Sequence, residues 1–372
     1  MGTYCVCALL FFCLPSFAKP AIPTNAITGV LDAFRNHSIV ALGEGNHGNI
    51  PSHTFRLSLI RDPRFAETVN DVVVEMGQST YQDVMDRFTN GEDVPYDELK
   101  KCWQDTTQAN FTADLPIYEE MFRTVRAVNL SLPRARRIRI LLGDPPLDWA
   151  KVHSADDYRA AFNRQDASTV AIIRREVIAK SRRALVIYGD VHFWRKNAYW
   201  PLHDHEKAEQ DFNEVPNSIV SLLERNGIAV FSIHTNADTK VDFSRLQPDI
   251  ASWPVPSLTK LHGTDLGAAP FSFFYPHKMM IFWRNASDHV VSETVGPDDA
   301  RSPHLEDEFD ALLYLGPPGS ITKSHLTPAQ CNDPSYMTMR RQRLEWASGM
   351  GNGDPDSLAR ECALTIGHKV HH

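Results

Sequence analysis

The stretch ALGEGNHG, residues 41–48, sets a carboxylate and an imidazole three residues apart, Glu44 and His47, among three glycines at Gly43, Gly45 and Gly48. It follows the apolar run Ser38-Ile39-Val40, so the pair stands where a buried strand should end. An E-x-x-H pair on a helix suits a carboxylate-bridged metal site, but glycines in this number argue for a sharply bent loop. Other apolar runs end in the same way. Glu75 closes one, Gly143-Asp144-Pro145 follows another, Gly189-Asp190-Val191-His192 a third, and a further run ends near His234. A single polar residue after a strand is ordinarily a turn former or helix cap. A succession of strand ends that deliver acids or histidines points instead to one crevice.

Two chemistries suit such a crevice. Without a metal, His47 acts as general base on water, oriented by Glu44 or Glu75, as in ester hydrolysis. With a metal, Glu44, His47, Glu75 and His192 are nitrogen and oxygen ligands for a divalent first-row ion. The residue types leave both open. Clustered carboxylates raise one another's pKa and a nearby cation lowers it, so at least one group is expected to titrate near neutral pH. Asp144 and Asp190 are expected at the rim, binding substrate. The next helix is expected to start near Pro51, leaving the amides of residues 50–53 facing the crevice, with Arg56 supplying a cation for a carboxylate or a developing oxyanion.

The elements that must position these groups read as βα units. Short β-rich runs at Ser38–Leu42, Asp71–Glu75, Ile138–Leu142, Ala184–Tyr188, Ile228–Ile233, Met279–Trp283 and Ala311–Leu315 alternate with segments of helical period. The helical segments are Asn25–Arg35, Pro51–Ile60, Gln78–Phe88, Pro116–Val128, Ala167–Lys180 and Ser218–Arg225. The pattern predicts an α/β domain over residues 19–330, with a mostly parallel central sheet flanked by helices and ligands beyond the carboxyl ends of the strands. Residues 89–115 and 195–217 read as insertions forming a lid, with Trp194 and Trp200 beside the second. The tail from residue 331 to 372 is expected to pack on the domain, with a helix near Met337–Trp346.

Other motifs are weaker. His203, Asp204, His205 and Glu206 form a polar cluster that reads first as solvated loop. Ser52 and Ser79 lie outside any G-x-S-x-G elbow, and neither a G-x-G-x-x-G nor a phosphate-binding lysine loop occurs. A net charge of −8 gives no broad basic surface for nucleic acid, so the expected partner is a small-molecule substrate. Residues 1–18 have an uncharged apolar run of about 13 residues before Ser16-Phe17-Ala18, the shape of a secretory signal and too short to span a bilayer. The expected location is therefore secreted or periplasmic, without an integral membrane segment. Removal of the leader leaves Cys102, Cys331 and Cys362, with a Cys331–Cys362 bridge possible and Cys102 then free. Asn-X-Ser/Thr triplets begin at Asn36, Asn110, Asn129 and Asn285.

LGEGNHG followed by VVVEMG resembles the erythromycin esterase-like and ChaN-like superfamily, whose members carry G-E-x-x-H-G or a close variant after the first strand and a strand-final glutamate next. VIYGDVHF resembles the segment that ends another core strand there, and FDALLYLGPPGSIT resembles the closing segment of secreted bacterial relatives. The similarity runs over roughly residues 25 to 330 in order of elements. It implies a parallel-sheet core with a crevice holding Glu44, His47, Glu75 and His192, and His47 as the base that activates water. The esterase branch has a second histidine just before the one matching His192; here Gly189-Asp190 stands in its place, which departs from macrolide ester cleavage. The ChaN-like branch implies haem or iron binding instead, and distant relatives are metal-dependent peptidases. The leading expectation is a hydrolase acting on an ester, lactone or amide.

Overall fold

The structure is a computed structural model, described for residues 19–196, 198–199, 218–236, 243–274, 279–284, 286–287, 290–296, 299, 301–348 and 353–367. The leader, the His203–Glu206 cluster, Trp200 and Asn285 lie outside the described residues. The strands, in chain order, are β1 (Thr24–Asn25), β2 (Ile39–Gly43), β3 (Asp71–Gln78), β4 (Arg139–Asp144), β5 (Ala184–Tyr188), β6 (Ala198–Tyr199), β7 (Val230–Thr235), β8 (Ser257–Lys260), β9 (Met279–Arg284), β10 (Val290–Val295) and β11 (Ala311–Tyr314). The main sheet runs β1-β8-β11-β7-β2-β5-β3-β4. From β11 to β4 all neighbours are parallel, and β8 and β1 close one edge antiparallel.

The expected parallel α/β architecture is present. Burial explains why these runs are strands: both faces of the sheet are covered, so β2, β3 and β5 are buried at every residue. Alternate side chains feed two cores. Val40, Leu42, Val72, Val74, Leu185 and Ile187 enter one, while Ile39, Ala41, Val73, Ala184, Val186 and Tyr188 enter the other.

Three assignments differ from the sequence reading. Met279–Arg284 leaves the main sheet and pairs antiparallel with β10 and β6 in a separate three-stranded sheet. Strand period shows that such a run will pair but not with which partner. The antiparallel strand β8, between β1 and β11, is the four-residue stretch Ser-Leu-Thr-Lys and gives no apolar run. β3 continues past Glu75 to Gln78, with a register irregularity between Val74 and Gln78. A bulge of this kind re-aims side chains near a site.

The helices used below are α1 (Ala26–Ala33), α2 (Ile50–Arg61), α3 (Gln82–Thr89), α4 (Pro116–Leu130), α5 (Ala155–Phe162), α6 (Gln165–Ile172), α7 (Ile219–Arg225), α8 (Pro334–Ser348) and α9 (Ser357–Gly367). The long helix expected through Lys180 is α6 followed by a π turn at Ile173–Val177 and a short 3₁₀ turn.

The 89–115 insertion is a packed layer rather than an open lid. Cys102, Trp103, Thr106, Thr107, Ala109, Ala113 and Asp114 in it are buried. It is fastened by the C-terminal segment: Arg340 of α8 forks onto Asp114 through Nε (2.6 Å) and Nη2 (2.7 Å) and donates to the carbonyls of Gln104 (3.0 Å) and Gln108 (3.2 Å). A disulfide joins Cys331 to Cys362 on α9, and Cys102 is free and buried. Asn129 is no glycan acceptor in the fold, because its buried amide donates to the carbonyls of Thr89 (3.1 Å) and Ile138 (2.8 Å).

The Arg340–Asp114 pair has both side chains at 0% exposure. Removing one partner of such a pair leaves an uncompensated buried charge, worth about 3–5 kcal/mol. Arg340→Met is therefore expected to lower unfolding free energy by about that amount in chemical denaturation, while Arg341→Met, on the exposed side of the same helix, stays within about 0.5 kcal/mol of the parent.

Candidate functional site

The turn after β2 carries the first pair. The Glu44 amide donates to the Tyr188 carbonyl at 2.8 Å, continuing the β2–β5 ladder, and then the chain bends through Gly45 (φ 66°) and Gly48 (φ 83°), a left-handed conformation that side chains disfavour. Gly43 is required for a different reason: a Cβ there would lie 1.8 Å from Oδ1 of Asp190. The carboxylate of Glu44 is buried and held by three groups. Arg56 of α2 grips Oε1, Tyr118 of α4 donates to Oε2 at 3.0 Å, and His47 Nδ1 lies 2.8 Å from Oε2. Burial works against ionisation of Glu44, but Arg56, His47 and Tyr118 outweigh it and hold its pKa down at about 2.

With Nδ1 facing a carboxylate, His47 turns Nε2 into the crevice, 3.6 Å from Oε1 of Glu75. His192, on the short turn after β5, repeats the arrangement: Nδ1 is 2.5 Å from Oδ1 of Asp166 on α6, and Nε2 is 3.6 Å from the same Oε1 of Glu75. Glu75 is the centre. Gln108 donates to its Oε1 at 2.7 Å and the Gly189 amide to its Oε2 at 2.8 Å. Gly189 allows this closeness, since a Cβ there would meet His47 Cε1 at 3.1 Å.

Two carboxylate–imidazole pairs thus aim their free ring nitrogens at one buried carboxylate oxygen. Burial opposes charge on both imidazoles, yet Glu75 and Glu44 raise His47 above its ordinary 6.5, and Asp166 and Glu75 raise His192 well above it. Burial also opposes charge on Glu75, but the two histidines lower its pKa overall. The His47 side chain, at 31% exposure against 3% for Glu44 and Glu75 and 14% for His192, is the member that solvent reaches most readily.

The structure brings Glu44, His47, Glu75, His192 and Arg56 together and closes off the two expected substrate-binding acids with protein partners. Arg56 is committed to Glu44 rather than offered to a ligand. Asp190 is a buried strut: its Oδ1 accepts the Gly45 amide at 3.0 Å, while Oδ2 pairs with His234 Nδ1 and accepts the Thr235 amide at 3.4 Å. Asp144 is the last residue of β4, taking the Thr107 amide at 2.7 Å and Gln165 Nε2 at 3.4 Å; burial pushes its pKa up to about 7 despite these donors. The amides at the start of α2 do not face the crevice. Ile50 donates to the Thr322 carbonyl (3.0 Å), Ser52 to Asn49 Oδ1 (3.1 Å) and His53 to the Asn49 carbonyl (3.0 Å). Trp194 is core, edge-on to Phe271 at 5.4 Å.

Asp166, Gln108 and Tyr118 were not legible as site residues. Each sits within a helix or insertion whose local sequence carries no sign of a distant partner. The four-ligand metal set is not assembled: both oxygens of Glu44 are taken by Arg56, Tyr118 and His47, and among the described residues no group of three or more His, Cys, Asp or Glu could hold a metal ion.

No family model matches the sequence, and no curated protein matches it. Among solved structures, a succinoglycan biosynthesis protein is similar at 11% identity and a TM-score of 0.51, over 84% of this chain and 97% of that one. An erythromycin esterase mutant in its open conformation aligns at 12% identity and a TM-score of 0.49, over 80% and 94%. ChaN of Campylobacter jejuni, solved with cofacial haem, aligns at 13% identity and a TM-score of 0.33, over 56% and 84%. At these identities the likeness is one of fold: this chain shares the α/β architecture of the succinoglycan biosynthesis protein along most of both chains.

Because Glu44 falls from an ordinary 4.5 to about 2 on folding, the stability it contributes is complete above pH 4.5 and disappears as pH falls to about 2. Glu44→Gln, which strands Arg56, is expected to be about 3 kcal/mol less stable than the parent at pH 7. That gap should close between pH 4.5 and 2 in denaturant titrations.

Proposed function

We propose that the chain is a hydrolase of an ester, lactone or amide, with His47 as general base. The observation that carries this reading is the convergence of the Glu44–His47 and Asp166–His192 pairs on Oε1 of Glu75, each free Nε2 at 3.6 Å. Environments that separate the pKa values of paired groups assign acid and base roles. His47 is raised, and His192 is raised further, so His47 loses its proton first. In this reading His47 Nε2 takes a proton from water and the oxygen attacks the acyl carbon. The bond to the leaving oxygen or nitrogen breaks, and His192 Nε2–H protonates the leaving atom. Glu75 holds the two imidazoles in register and balances their charge.

The experiment is turnover of a panel of esters, lactones and amides by the purified chain. His47→Ala is expected to cost 10²–10⁴-fold in kcat, the usual share of a general base. The kcat/KM profile should be a bell: rising with pH through the raised value of His47, as the base becomes neutral, and falling through the higher value of His192, as the acid is lost. His192→Gln should remove the falling limb. Full activity of His47→Ala on a substrate that the parent turns over defeats the proposal. A haem absorption band with no turnover of the panel favours haem binding instead.

Action outside the cytoplasm belongs to the same proposal, supported by the Cys331–Cys362 bridge and the apolar leader. Intact mass of protein exported by a bacterial host should correspond to a chain beginning at Lys19. Retention of residues 1–18 removes this part of the reading.

A further inference from the structure

The end of the sheet opposite the crevice is basic, in a chain whose net charge is −8. Residues 126–139 lead into β4 with Arg126, Arg134, Arg136, Arg137 and Arg139 and no acid; residues 174–183 lead into β5 with Arg174, Arg175, Lys180, Arg182, Arg183 and the single acid Glu176. Ion pairs bind the two segments into one surface. Arg139 bridges Asp86 and Glu176 at 2.9 Å each, Lys180 reaches Glu176 at 2.6 Å, Arg182 forks onto Asp71 at 2.6 Å, and Arg136 meets Glu67 at 3.1 Å.

The acids at this surface are Glu67, Asp71, Asp86 and Glu176, with Glu92, paired to Arg87, and Asp93 exposed on the Gly91 turn, against the ten cations of the two segments. Arg134, Arg174 and Arg183 are exposed, and among the described residues their side chains form no ion pair. The first of these segments carries an exposed apolar tip: Leu130, the last residue of α4, is 58% exposed and packs next to Gly91, whose turn also takes Arg126 and Arg137 through its carbonyls.

We infer that this pole docks the protein on an anionic lipid surface, with the arginines at the headgroups and Leu130 entering the interface. Charge complementarity selects an anionic partner. The leucine selects a bilayer over a soluble polyanion, which offers no apolar phase to bury it. The geometry has a consequence for the crevice. β3 rises four residues from Asp71 at the basic end to Glu75, so the basic pole and the crevice are separated by roughly 13 Å along the strand. A docked molecule holds His47 out toward solvent.

The test is sedimentation of the full chain with phosphatidylcholine vesicles containing or lacking a third of phosphatidylglycerol. Binding is expected to the anionic vesicles alone and to be released by high salt. Arg134→Gln, Arg174→Gln and Arg183→Gln should each weaken it about fivefold, the share of one charge near such a surface. Leu130→Ser should weaken it about tenfold while leaving the melting temperature unchanged. Absence of binding to anionic vesicles at low salt overturns the inference. So does a Leu130→Ser variant that binds as the parent does, or retention by heparin without any binding to vesicles. Hydrolysis of a soluble substrate should be unaffected in all these variants, so failure here leaves the hydrolase reading standing.

Discussion

A negative charge buried at the end of β2 has to be kept ionised, and the rest of the site follows from how that is done. Glu44 is 2% exposed. A carboxylate in such surroundings would take up a proton unless a cation and hydrogen-bond donors compensated for the lost water. Arg56 supplies the charge from α2, and Tyr118 supplies a donor from α4. Both helices are thereby fixed against the turn. The remaining capacity of Glu44 goes to Nδ1 of His47, which sets the ring's orientation and leaves Nε2 turned into the crevice. The imidazole is placed by electrostatics four residues beyond the end of β2.

Glu75 depends on more distant support. Its Oε1 is held by Gln108, and Gln108 belongs to a segment held in turn by Arg340 of α8. The C-terminal helices, joined through Cys331–Cys362, thus act on the crevice through the backbone of residues 104–114. A tail that could be taken for a wrapping is part of the frame of the site. The same holds at the other imidazole, where α6 contributes Asp166 before the chain passes through a π turn into β5. The parallel sheet accounts for the convergence, because β2, β5 and β3 are neighbours and deliver their carboxyl ends side by side. The amino ends of β4 and β5 gather the arginines, so basic charge collects at the end of the sheet opposite the crevice although the net charge of the chain is negative.

What the sequence by itself determined is local. Apolar runs of strand period marked β2, β3, β4, β5, β7 and β11, and the glycines around Glu44 and His47 marked a turn that had to bend and come close to something. The strand ends, read together, located Glu44, His47, Glu75 and His192. Tertiary packing decided the partners and, with them, the roles. Asp144 and Asp190 are acids beside strand ends just as Glu75 is, yet the first is closed in by Thr107 and Gln165 and the second by Gly45 and His234. Nothing in their own neighbourhoods distinguishes them from a ligand-binding acid. Asp166, Gln108 and Tyr118 join the site from helical and inserted segments for the converse reason. Whether a buried polar side chain becomes a strut or a reactive group depends on which donors arrive from far along the chain, and only the packed fold brings those donors within hydrogen-bonding distance.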